Sequence, residues 1–388
     1  MTTTTRTSDS DEEEYDNLRS YEPIDLLQDA GINATDIFKL KKDGFATIGQ
    51  LFQVPQKRLL GVKGISEAKI DRIMPEKCGF VSASTLYEQS QSKIFITTGS
   101  QRKHGIFFSE FDQILGGGLE TMSVTEVHGE FRTGKTQLCH TVCVTAQLPR
   151  SRGGGADKPR AEHVNLFVGK VAFVDTEGTF RPNRVAEIAK ERYNLDPEDI
   201  LDNIIVARAH SHDAQMDLVI KLGMLFADPD QGPFRALIID SVTALFRTDF
   251  SGREELTERQ QRLNQHLVRL VKHAEVKYVV FPELFWVKLL IKTKKEFDIA
   301  VLLVNQVMAD PSANILFNSV TKPVGGHVMS HGVHTRVQMK KGRAENRIWY
   351  FQRSTLYVQI KIIDSPCMPE AECAIKLYAG GIADSDEW

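Results

Sequence analysis

The chain has 388 residues, 41% of them hydrophobic and 26% charged, enough for a large core and one smaller domain. No apolar run reaches the roughly 18 residues of a membrane span, and the opening MTTTTRTSDSDEEEYD is unlike a signal peptide, which predicts a soluble intracellular protein with no membrane partner. A net charge of −3 excludes a globally basic nucleic-acid binder, and five cysteines without metal-ligand spacing suit a reducing compartment.

Residues 1–20 carry Asp9, Asp11, Glu12, Glu13 and Glu14 with almost no apolar content, the composition of a disordered acidic tail. From 21 to 74, apolar positions recur at helical spacing between Gly31, Gly44, Gly61 and Gly64, predicting a small helical domain. Within it, LLGVKGISEAKIDRI resembles a helix-hairpin-helix element whose backbone amides meet a DNA phosphate. Lys63, Lys69 and Arg72 are then either phosphate contacts or an ordinary solvated face. Residues 75–100 form a linker containing GFVSASTLYEQ and the strand-like KIFITTGS, and residues 101–388 form the large domain.

That domain opens on MSVTEVHG, a strand pattern, followed by Gly129, Glu130, Phe131, Arg132, Thr133, Gly134, Lys135, Thr136 and then Gln137 at the head of a helical stretch. This is a phosphate-binding loop in its proper setting, between a strand and a helix. Glycines at 129 and 134 let the backbone wrap its amides around phosphates, Lys135 would reach the β- and γ-phosphates, and the Thr136 hydroxyl would ligate Mg²⁺. ATP and Mg²⁺ are the expected ligands. Cys139 and Cys143, four apart on the following helix, read as small buried residues.

Further on, KVAFVDTE, NIIVARA, FRALIIDSV and DIAVLLVNQV alternate with the helical DAQMDLVIKLGMLFA and ERQQRLNQHLVRLVKH, predicting an α/β domain with a mostly parallel sheet. Asp240 ends the apolar run ALIID and is placed to support the metal. Glu177 follows another apolar strand and precedes a glycine, as suits a carboxylate that activates water, with Asp175 as the competing candidate.

Taken together, GEFRTGKTQLCHT, VDTEGTFRP, LIIDSVTALFRTDFSGR, ERQQRL, LLVNQV, KPVGGHV and IIDSPCMPEAE resemble the eukaryotic branch of the RecA family of strand-exchange recombinases, from about Tyr21 to Asp384. NQVMADP and DLLQDAGI are most like its meiosis-specific form. The resemblance implies a RecA-like ATPase core behind a helix-hairpin-helix domain, acting in the nucleus. It implies a DNA-dependent ATPase that forms filaments on single-stranded DNA, searches double-stranded DNA for homology and exchanges strands, with mediator proteins as partners. By the same carry-over Glu177 activates water and Gln306 senses the γ-phosphate. Arg184 packs near the adenine. Arg247, Arg253 and Arg259 contact DNA from a first loop, with Phe250 packed among them, and a second DNA loop runs from about Met308 to Lys322. Phe80 and Ala83 of FVSA insert into a neighbouring protomer, a head-to-tail contact that builds a helical filament or a ring.

Four segments look extra against the family pattern: 102–109, 157–168, 276–294 and 349–360. The segment at Val276 reads as an extra surface helix, as a partner-binding or filament-modulating insertion, or as translated intron sequence; the last is the hypothesis for the segments at Val276 and Trp349, and the spliced transcript tests it. At Ser319, Val320 and Thr321 the chain lacks the acidic residue and proline expected to cap a neighbour's ATP. Two rival readings stay open: an adaptor paralogue that binds nucleotide without strand exchange, and a ring helicase on the same core.

Overall fold

The structure is a computed structural model that describes residues 24–28, 32–45, 51, 56–73, 82–91, 93–99, 109–156, 159–160, 163–167, 169–226, 231, 233–250, 252, 254–274, 298–309, 321–342 and 356–385. The chain divides into two compact units, the first centred on the N-terminal helices up to Gln91 and the second on the sheet that follows Ser92.

In the first unit, helices α1 (Ala34–Lys42), α2 (Gln56–Leu60), α3 (Glu67–Ile73) and α4 (Ala83–Ser90) follow a 3-10 turn at Ile24–Gln28. Its core is a cluster of apolar side chains, among them Ile24, Ile37, Leu40, Phe45, Leu59 and Ile70. The hairpin between α2 and α3 turns at Gly64, whose φ of 87° is open to glycine without a Cβ penalty. Lys63 is exposed on this hairpin. The Lys69 ammonium meets the Asp36 carboxylate at 2.8 Å and the Gly64 carbonyl at 3.2 Å, which braces the hairpin.

The second unit is built on one nine-stranded sheet. Its strands in chain order are β1 (Ser123–Gly129), β2 (Lys170–Asp175), β3 (Ile204–Arg208), β4 (Phe234–Asp240), β5 (Ala300–Asn305), β6 (Thr335–Lys341), β7 (Leu356–Asp364), β8 (Glu372–Tyr378) and β9 (Gly381–Asp384). Their spatial order is β9-β8-β7-β6-β1-β5-β4-β2-β3. From β6 to β3 every pairing is parallel, whereas β7, β8 and β9 extend the sheet in antiparallel fashion. The helices after Ser92 are α5 (Glu110–Ile114), α6 (Lys135–Thr145), α7 (Pro182–Tyr193), α8 (Pro197–Asp202), α9 (His212–Phe226), α10 (Ala244–Thr248), α11 (Leu256–Ala274) and α12 (Gly326–His331), of which α9 groups with the first unit from Ile220 onward.

The central strands β1, β4 and β5 are buried at every position, as strands covered on both faces must be. One face carries a cluster in which Ile238, Leu302 and Val304 meet Leu138 and Val142 of α6 and Val185 and Ile188 of α7. Cys139 and Cys143 belong to the same cluster, and burial pushes both thiols up, away from reactive thiolate. Helix α11 is amphipathic and buries Leu263, Leu267 and Leu270, one side of its 3.6-residue period.

Three of the segments read as extra are partly described. Of 102–109, Ser109 caps α5, its hydroxyl accepting from the Asp112 amide at 2.9 Å. Of 349–360, residues 356–360 are the first half of β7, where Val358 and Ile360 are buried between β6 and β8. Within 157–168 a two-stranded hairpin pairs Pro159–Arg160 with His163–Phe167. The segment 276–294, residues 102–108 and Ser319 and Val320 lie outside the described residues, as does Phe80; Ala83 is the exposed first residue of α4.

Candidate active site

Strand β1 delivers Gly129 to its carboxyl end, and α6 begins at Lys135 after a left-handed Gly134 with φ 86°. Both glycines are dictated by space. A Cβ on Gly129 would lie 2.3 Å from the Met339 carbonyl oxygen, and one on Gly134 would lie 2.6 Å from Leu377. Between them Arg132 also adopts positive φ, at 64°, with its guanidinium over the Phe131 ring, and that ring is 78% exposed at the crest of the loop. Such backbone in a non-glycine residue is costly and concentrates where loops are shaped for ligands. Lys135 donates to the carbonyls of Gly129 at 2.8 Å and Glu130 at 2.7 Å. Burial lowers the affinity of its amine for a proton, opposed by the Asp240 and Glu177 carboxylates.

Asp240, the last residue of β4, accepts from the Thr136 hydroxyl at 2.7 Å and from Thr179 at 3.3 Å. Burial pushes this carboxyl up to about 6 despite the Thr136 hydrogen bond, which pulls the other way. A desolvated carboxylate beside a hydroxyl at the foot of an amide-lined loop suits a hard cation that brings phosphate oxygens with it. The residues present therefore fit Mg²⁺ with a nucleotide.

The two carboxylates that compete for the water-activating role occupy different situations. Asp175 is filled: its Oδ1 accepts from the amides of Glu177, Gly178 and Thr179 at 3.1, 2.6 and 3.1 Å, and its Oδ2 accepts from the Phe180 amide at 3.2 Å. It holds the turn that presents Glu177. The Glu177 side chain is exposed, and its Oε1 accepts from the Ser241 hydroxyl at 2.7 Å and the Gln306 amide at 2.5 Å.

Gln306 follows β5 directly, and its backbone carbonyl accepts from Val324 at 2.9 Å, where the hairpin Val307–Ala309 with Thr321–Pro323 closes. Its side-chain oxygen accepts from Arg247 at 2.7 Å. Phe250 is only 8% exposed and packs 4.6 Å from the His212 ring, so it supports the first loop from beneath. Arg259 lies in the first turn of α11, and Arg253 is outside the described residues. Arg184 has four of its donor contacts inside the protein: Gln137, Glu187 and the carbonyls of Tyr378 and Ala379. It ties α7 and Gln137 to the β8–β9 hairpin.

The family model described as Rad51 matches residues 89–281 and 285–385. The chain belongs to the Rad51 family. Among its Rad51-family relatives, Meiotic recombination protein DLH1 of Candida albicans is 45% identical, covering 94% of this chain and 97% of that protein. The DMC1/LIM15 homolog of Homo sapiens is 43% identical, with 95% and 94% covered, and DMC1 of Saccharomyces cerevisiae is 41% identical, with 96% and 97% covered.

Set in the Rad51 family, the site holds residues that the sequence reading did not single out. Ser241 binds Glu177, Thr179 binds Asp240, and Asn305 links Thr243 to Glu126 at 2.7 and 2.6 Å. Glu126 is a buried carboxylate on β1 that also pairs with Arg336 of β6 at 2.6 Å, fixing the strand beneath the phosphate loop. Ser241 and Thr179 are each next to a motif residue, the one signal that could have found them. Glu126 and Arg336, 210 residues apart, carry none.

Proposed function

We propose that this chain is a DNA-dependent ATPase that forms filaments on single-stranded DNA and catalyses homologous pairing and strand exchange in meiotic recombination. The observation that carries the reading is the convergence of Lys135, Thr136, Asp240, Glu177 and Gln306 at the carboxyl ends of β1, β2, β4 and β5, within a chain whose relatives are named as meiotic recombination proteins. An adaptor needs nucleotide binding alone. The exposed Glu177, held by Ser241 and Gln306 while Asp175 is spent on the turn, supports hydrolysis as well.

The amides of residues 130–136 and the Lys135 ammonium bind the triphosphate, Lys135 exchanging loop carbonyls for phosphate oxygens. Thr136 and Asp240 would hold Mg²⁺, which supplies neutralisation of phosphate charge when bound. Glu177 accepts a proton from water as the water oxygen bonds to the γ-phosphorus and the bond from phosphorus to the β,γ-bridging oxygen breaks. Lys135 offsets charge on the leaving diphosphate, and Gln306 reports the γ-phosphate to the loop hairpin it anchors. Phe80 and Ala83 supply the filament contact. Arg247, Arg253, Arg259 and Lys63 carry positive charge to DNA phosphates, and the work is nuclear because the substrate is chromosomal.

The test is joint-molecule formation between a single-stranded circle and homologous linear duplex, with ATP and Mg²⁺. The proposal expects joint molecules that need both homology and nucleotide. ATP binding without joint molecules would make the chain an adaptor.

A further inference from the structure

Three polar side chains run in a line from the water-activating carboxylate to the first DNA loop. Glu177 Oε1 accepts from Gln306 Nε2 at 2.5 Å, and Gln306 Oε1 accepts from Arg247 Nη1 at 2.7 Å. The direction of this chain is forced. A carboxylate cannot donate and a guanidinium cannot accept, so the amide between them has one orientation that satisfies both, and neither end can be exchanged without turning it.

Arg247 and Gln306 are carried by one hydrogen-bonded frame. Arg247 sits on α10, whose preceding residue Thr243 is bonded to the Asn305 side chain at 2.7 Å, and Asn305 is held in turn by Glu126 and by the Val324 carbonyl at 2.8 Å. At the other end of α10 the Asp249 carboxylate accepts from the His212 backbone amide at 2.7 Å, and its ring lies at the same distance. Gln306 is the next residue after Asn305. The frame that positions α10 thus also positions Gln306, while the contact between them is a single exposed hydrogen bond. That combination favours a switchable link: fixed partners, one breakable bond.

We propose that Arg247 is a positioning residue that holds Gln306, and through it Glu177, in the arrangement seen here until a nucleic-acid phosphate takes the guanidinium. The inference rests on the reading of the chain as a DNA-dependent ATPase. With Arg247 on a phosphate, the Gln306 oxygen loses its donor and the amide is free to turn. Glu177 then keeps only Ser241 on Oε1, and a carboxylate released from a hydrogen bond is a better acceptor for the proton of water. DNA binding and release of the catalytic base become one event, through a group that serves both.

The experiment measures ATP turnover by the full chain with and without saturating oligothymidylate, for the unaltered protein, Arg247→Met and Arg247→Gln, with ATP affinity as the check on an intact site. The expected result is a rise of about three- to tenfold in DNA-free turnover in both variants, the span one ordinary hydrogen bond supports, with the stimulation ratio falling toward one. Unchanged DNA-free turnover with stimulation lost would overturn the proposal and leave Arg247 a DNA contact alone. If the unaltered chain hydrolyses ATP without any stimulation by DNA, the functional reading itself fails and takes this inference with it.

Discussion

Around the phosphate loop the polar groups are held by backbone and by buried strands: Asp175 by four amides, Lys135 by two loop carbonyls, Asp240 at the end of a strand buried throughout. On the side proposed to meet DNA, Arg247 is exposed and joined to the site by one side-chain hydrogen bond. The phosphate-loop side is preorganised, and the Arg247 side is held by a contact that can exchange partners. Phosphoryl transfer gains from groups fixed before the reaction, whereas coupling to a second ligand needs a contact that can be given up.

The largest effect that would sharpen this contrast is at Glu177. Glu177→Gln should lower ATP turnover by about 10²–10⁴ while leaving ATP affinity near its original value, read from turnover and equilibrium binding side by side. Comparable loss of binding would place Glu177 among the holding groups. Next comes the support beneath the loop. Arg336→Met strands the Glu126 carboxylate in the core and should destabilise the domain by about 3–5 kcal/mol in denaturant unfolding. Asp175→Ala leaves four turn amides without their acceptor and should cost about 1–3 kcal/mol together with a drop in turnover, since Glu177 loses its fixed turn. A variant with full activity would show that the turn does not position the base.

The smallest effect is a pH dependence. Asp240 titrates at about 6 when folded against an ordinary 3.8, so above pH 6 its charge opposes folding, and the penalty fades as pH falls from about 6 toward 3.8. Asp240→Asn should therefore raise the melting temperature of the protein without nucleotide at pH 8, by the equivalent of about 1–3 kcal/mol, with the gain shrinking through that window. The same protonation should weaken Mg²⁺-dependent ATP binding of the unaltered chain as pH falls through about 6. A melting difference that does not change with pH would contradict the burial of this carboxylate.

Much of the nucleotide side was legible in the sequence because its signals are local: glycines that only a tight loop requires, an acid closing an apolar strand, a strand before the loop and a helix after it. The choice between Asp175 and Glu177 was not legible. One ends the strand and the other lies two residues beyond it, and what separates them is that the turn 177–180 folds its amides back onto Asp175. The partners that hold Arg184 and Phe250, Tyr378 and Ala379 for one and His212 for the other, were not legible because they come from distant stretches of chain. In residues 356–362, Val358, Ile360 and Ile362 alternate as a half-buried strand should, a local pattern that the chain itself carries.

Whether one site hydrolyses ATP in response to DNA is decided by ATP turnover of the purified chain with and without single-stranded DNA, alongside Lys135→Ala. The expected result is turnover that DNA stimulates and that Lys135→Ala abolishes. Turnover indifferent to DNA, or surviving in Lys135→Ala, would contradict it.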